Sequence, residues 1–240
     1  MTPYLTAVAF GLHILGGMVG VVAAFVALCA QKGGRMHRRA GTVFVVAMLS
    51  MAAFAAVLAV IRPGQIINLC IAGLTAYLVA TGWLTVRRRG ALAGPPEWVA
   101  LGTSVLLCAP FALMIFQIAT GVVLFKSAFA IKGAILVALS VFAAVVLAAA
   151  LGDLGVVRRG ISGTSLVARH LWRMCFGSAL ALGSAFTNGF ARLLPGPYHV
   201  PPAFFAPQLL MLGVLIFWLV RIRFPGWAAS GGRAAAASQV

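Results

Sequence analysis

Hydrophobic positions along this chain run in long, nearly unbroken stretches, with no alternation at a period of two and no single apolar stripe at a period of 3.6. Seven stretches stand out: Tyr4–Ala30, Gly41–Ile61, Gln65–Val86, Trp98–Phe125, Ile131–Leu151, His170–Leu194 and Pro207–Val220. Runs of about 18 or more apolar residues read as bilayer-spanning helices, because lipid offers no partner for an exposed backbone N–H or C=O. Pro63-Gly64, Gly94-Pro95-Pro96 and Pro195-Gly196-Pro197 punctuate the connections as helix breakers. The pattern predicts an all-α fold, a polytopic bundle of seven transmembrane helices. Residues 1–225 are expected to form one transmembrane domain, and 226–240, ending GGRAAAASQV, a flexible cytoplasmic tail.

Composition agrees. The chain is 63% hydrophobic and 8% charged, with a mean hydropathy of +1.10, whereas soluble domains are about a quarter charged. The formal charge of +16 would suggest nucleic acid in a soluble protein. Here the basic residues are split among short connections, so no nucleic-acid partner is expected, and their ordinary role is orientation and contact with anionic lipid. Lys32, Arg35, Arg38, Arg39, Arg87, Arg88, Arg89, Arg158, Arg159, Arg169, Arg173, Arg221, Arg223 and Arg233 fall on one side of the alternating pattern. Arg62, Lys126, Lys132 and Arg192 fall on the other. Cytoplasmic loops carry the Lys/Arg excess. The N-terminus is therefore expected outside and the C-terminus inside a bacterial cytoplasmic (inner) membrane, which requires an odd number of spans. The N-terminal segment MTPYLTAVAF lacks the basic start of a signal peptide.

Charge also narrows the chemistry. The only carboxylates, Glu97 and Asp153, are expected in connections, which removes the intramembrane Asp or Glu of cation-coupled carriers. H-E-x-x-H, the phosphate loop and G-x-S-x-G are absent, so no catalytic residue is assigned. Cys29, Cys70, Cys108 and Cys175 stand singly in different stretches and read as small buried hydrophobes. Gly11, Gly16, Gly17 and Gly20, and later Gly177, Gly183 and Gly189, suit close helix packing, and could also make room for a flat cofactor. Asn68, Thr75, Gln117, Ser184, Thr187 and Asn188 are candidate interhelical glue. Tyr4, Trp98, Trp218 and Trp227 are candidate interfacial anchors.

The histidines remain as candidates. His13 lies near mid-membrane, where an imidazole needs a hydrogen-bond partner or serves as a metal ligand. His37 and His170 are expected at the inner starts of the second and sixth spans. Below them run His37, Gly41, Met48 and His170, Met174, Gly177, Ala181, each on one helix face. Two facing imidazoles can ligate a haem iron axially. Gly41 and Gly177 would leave room for the ring, and Arg38 and Arg173 would pair with its propionates. The same groups could bind a quinone head group or an anionic lipid, or simply snorkel to water. His199 falls in the outer Pro-rich connection.

Three blocks carry a resemblance: LHILGGMVG in the first stretch, KGGRMHRRAGTVFVVAM leading into the second, and RHLWRMCFGSALALGSAFTNG in the sixth. They resemble a family of bacterial predicted membrane proteins of unknown function, with its His-Arg-x-x-Gly and His-Leu-x-Arg-Met motifs. The chain departs from the family where Ser184-Ala185-Phe186-Thr187-Asn188-Gly189 replaces a Ser-Phe-Phe-Leu-Gly tendency. The resemblance implies topology and a motif set, without an activity. Histidines at helix ends are also similar to those of haem-binding cytochromes of the b561 type. The leading expectation is a membrane protein binding haem b for electron transfer through His37 and His170, with His13 secondary. The alternatives are an accessory subunit of a larger membrane complex or a homo-oligomer, and a small-solute carrier.

Overall fold

The computed structural model describes residues 3–62, 64–88, 93–121, 133–186 and 201–224. Among them the chain forms seven α-helices: α1 Pro3–Cys29, α2 Arg35–Ile61, α3 Ile66–Arg87, α4 Pro95–Thr120, α5 Gly133–Arg159, α6 Gly163–Ser184 and α7 Pro201–Arg223. No strand occurs in the described residues. Six of the helices are long and apolar enough to cross a membrane. The exception is α6, whose described part spends Arg169, His170 and Arg173 on its first half. Residues 187–200, in which the sixth expected span would finish, and 226–240, expected as a tail, lie outside the described residues.

The contacts divide into two compact units, Met1–Thr81 with Gly90–Ile161, and Gly82–Arg89 with Ser162–Val240. In the first unit α1 packs on α2 and α4 on α5. The α1–α2 seam is built on small residues. A Cβ on Gly16 would stand 3.1 Å from the carbonyl oxygen of Ala47, and one on Gly20 2.9 Å from the sulfur of Met48. These glycines therefore serve helix packing, the use small residues have where lipid removes the hydrophobic drive for helices to associate. Gln31–Gly34 turns the chain between the two helices through a 3.0 Å bond from the Gly34 N–H to the Gln31 carbonyl. Its third residue, Gly33, has φ +76°, which suits glycine. Gly73 of α3 lies against Leu107 of α4, and Phe111 of α4 meets Phe142 of α5 at 6.0 Å between ring centroids. In the second unit α6 packs on α7, where Gly183 faces the side chain of Gln208.

Helix ends follow local rules with one exception. Pro95 and Pro96 start α4, and the Gly94 N–H donates to the Glu97 carboxylate at 2.7 Å, placing an acid at the positive end of the helix dipole. α2, in contrast, begins with Arg35, Arg38 and Arg39. Cations at a helix N-terminus oppose the dipole, so intrinsic helix stability does not account for them. Four cysteines, Cys29, Cys70, Cys108 and Cys175, are free thiols.

Candidate functional site

Asp153 overturns one expectation. It lies inside α5, which continues past Leu151 to Arg159, and its exposure is 1%. Tyr77 of α3 donates its hydroxyl to the Asp153 carboxylate. The buried positions Val146, Ala149, Ala150, Asp153 and Val156 share one face of α5, so the carboxylate sits on the packed side of an apolar helix. The pattern of that face was legible; the boundary, read eight residues too early, hid it. Tyr77 carried no signal of its own.

The three histidines within the described residues share one arrangement. Nδ1 of His13 is 3.0 Å from the carbonyl oxygen of Met51, Nδ1 of His37 is 2.9 Å from that of Ala27, and Nδ1 of His170 is 2.9 Å from that of Gly82. A carbonyl only accepts, so Nδ1 carries the proton in each bond, and in the neutral ring Nε2 is the lone pair. A ring tied this way is oriented as metal-ligating histidines are.

Their settings differ. His37 is the third residue of α2, as expected at a helix start. Its partner Ala27 belongs to the last turn of α1, whose end carbonyls also receive Lys32 Nζ. Arg38 bonds the carbonyl oxygen of Gly33. The face running His37, Gly41, Met48 is thus held against α1 at both ends, since Met48 fills the space beside Gly20. Between them Gly41 is open, with nothing within 4 Å of a Cβ built there. His13 meets α2 at Met51, roughly 21 Å of helix further along than His37, so these two do not share a site.

His170 does not begin its helix. α6 starts at Gly163, which places His170 two turns in and Arg173 three turns in. Arg173, expected at the inner edge, is fully buried at 0% exposure, with its guanidinium 5.3 Å from the Trp172 ring centroid. Gly177 is buried one turn beyond on the same face. Within the second unit the last turns of α3 close the site. Gly82 accepts from His170 and also admits Arg173, whose Cβ would be 3.0 Å from a Cβ on Gly82. One turn on, Arg169 Nη1 donates to Thr85 Oγ1 at 2.6 Å. Nothing in the sequence reading pointed to Gly82 or Thr85; a glycine within an otherwise bulky Ala-Thr-Gly-Trp-Leu-Thr segment was the available sign.

His37 belongs to the first unit and His170 to the second. Among the described residues no group of three or more His, Cys, Asp or Glu side chains could hold a metal ion. Two of the expected interhelical contacts are local instead: the Thr75 hydroxyl donates to the Ile71 carbonyl at 2.8 Å, four residues back on its own helix, and the Asn68 amide donates to the Gln65 side chain three residues back. His199, Arg192, Thr187, Asn188, Gly189, Lys126, Lys132, Arg89, Arg233 and Trp227 lie outside the described residues. Compared with known proteins, the chain matches no family model, no curated protein and no solved structure.

Proposed function

We propose that this chain is a seven-span protein of a bacterial inner membrane, N-terminus outside, that binds haem b for electron transfer, with His37 and His170 as axial ligands. The observation that supports the reading is the Nδ1–carbonyl bond of both rings, which leaves Nε2 as the donor atom. Arg38 and the buried Arg173 would pair with the propionates, and Gly41 and Gly177 would make room for the ring. Bound haem would supply a one-electron couple; the protein would orient its ligands and hold it away from water. His13 is a secondary site. Membership of the family of unknown function is part of the same proposal.

The visible spectrum of protein purified after haem-replete expression tests this. A Soret band that depends on His37 and His170 is expected; colourless protein with intact folding would remove the reading. An accessory-subunit role draws on the exposed faces of α1 and α7, where Val22, Phe25, Leu209 and Leu210 are open. Lipid covers such faces equally well, so stable co-purification with a defined complex is what would favour it.

A further inference from the structure

We infer that the outward face of α2 binds an anionic phospholipid, with its phosphate on Arg35 and Arg39 and an acyl chain laid along Val43 and Val46. The proposal rests on the membrane placement above and is independent of haem. Arg39, Val43, Val46, Ser50, Ala53 and Val57 are all exposed, at alternating steps of four and three residues. That spacing makes a single stripe along one helix. Arg35, also exposed, stands one turn before Arg39 on the same stripe. The packed side lies opposite, where His37 bonds the Ala27 carbonyl and Met48 fills the space beside Gly20 of α1. Arg35 and Arg39 therefore belong to the face turned away from the proposed iron ligand. What points to a ligand is their position at the head of an open apolar stripe.

The stripe has the two-part chemistry of a phospholipid. Its head is of one charge sign, since no Asp or Glu precedes Glu97 in the chain. Lys32 and Arg38 turn onto backbone carbonyls nearby, while Arg35 and Arg39 head the outward stripe. Cations in the first turn of a helix oppose its dipole, so an anion brought to them relieves a local cost. Two guanidinium forks one turn apart can pair the oxygens of one phosphodiester. Below them, Arg39 to Ser50 rises roughly 16 Å, close to half of a hydrocarbon core about 30 Å thick. Val43 and Val46 are 48% and 61% exposed within that depth. A soluble phosphate would use the cationic head alone, whereas a phospholipid uses both parts. Anionic lipid is also concentrated in the cytoplasmic leaflet, the side on which these basic residues are expected.

The full chain in nanodiscs of phosphatidylcholine with a minor share of phosphatidylglycerol tests this, with native mass spectrometry after detergent release counting the lipid retained. Phosphatidylglycerol retained in preference to phosphatidylcholine is expected. R35Q and R39Q should each lower its affinity about fivefold, the weight of one basic side chain at an anionic surface. V43S/V46S should lower it with the charge unchanged. The control is R158Q/R159Q, which removes two exposed charges from the end of α5 in the same unit, where adjacent residues do not share a helix face; it is expected to retain the lipid. Equal loss in that control, or no preference for phosphatidylglycerol in the unaltered chain, overturns the proposal. So does thermal stabilisation by soluble glycerol phosphate that R35Q/R39Q abolishes, since the ligand would then need no acyl chain. The single variants and the unaltered chain decide the matter even where a double variant does not fold. A chain extracted from membranes by alkaline carbonate would remove the placement on which this rests. A missing Soret band with retained lipid would remove the haem reading alone.

Discussion

Gly82 holds His170 twice over: its carbonyl oxygen accepts from Nδ1 at 2.9 Å, and its missing side chain lets the backbone of α6 come close enough to make that bond. A Cβ at this position would stand 3.0 Å from the Cβ of Arg173, tighter than ordinary contact. Gly82→Ala is expected to cost about 1–3 kcal/mol, the usual penalty of overpacking. The larger Gly82→Val should prevent folding. Thermal unfolding in detergent checks both. Unchanged stability in Gly82→Ala would mean that the helices are not this close.

The seam between α1 and α2 gives a graded series. Gly16 faces backbone atoms of Ala47 and Met51, which cannot swing aside, whereas Gly20 faces the flexible end of Met48. Gly16→Leu should abolish folded yield, and Gly20→Ala should cost roughly 1 kcal/mol as Met48 shifts. Gly11 meets nothing within 4 Å, so Gly11→Leu is expected to leave the unfolding midpoint unchanged. Equal tolerance at all three positions in a size-exclusion and unfolding assay would contradict the packing.

Much of this was legible in the sequence, for a physical reason. A helix that crosses lipid must satisfy its backbone internally and face apolar surroundings, so its length and hydropathy stand out without any knowledge of its neighbours. That is why α1 to α5 and α7 follow the apolar stretches. The misplacements occur where a polar residue sits inside a helix. Asp153 ended the expected span because a charge reads as a connection, yet α5 carries it on a packed face opposite Tyr77. Arg169 and His170 likewise delayed the expected start of α6, which begins seven residues before His170, at Gly163. The site was half visible. His37, His170 and Arg173 could be named from residue type alone, but the two histidines bond backbone carbonyls, and carbonyls leave no trace in a sequence.

The Tyr77–Asp153 bond makes a prediction about stability. Tyr77→Phe keeps the ring and removes the donor, leaving a carboxylate of 1% exposure short of one hydrogen bond. A loss of about 1–3 kcal/mol is expected. The double variant Tyr77→Phe/Asp153→Asn should lose less than the two single losses added, since the two groups are coupled. Additive losses in chemical unfolding would show that they act independently.

Topology turns on α6. If it crosses the membrane, reporters fused after Arg159 and after Phe224 face the same, cytoplasmic side; if it does not, they face opposite sides. The charge pattern, with Arg158 and Arg159 ending α5 and Arg221 and Arg223 ending α7, predicts the first outcome.

The proposed ligation of a haem iron by Nε2 of His37 and His170 makes a spectroscopic prediction. The most direct measurement is the oxidised and reduced absorption spectrum of the detergent-purified chain, beside its His37→Ala and His170→Ala variants, after haem-replete expression. A Soret band and reduced α band of a low-spin, two-imidazole haem are expected in the unaltered chain. Loss or conversion to a high-spin spectrum is expected in each variant, with His13→Ala close to unaltered. A folded, colourless protein, or a spectrum indifferent to both substitutions, would contradict the account.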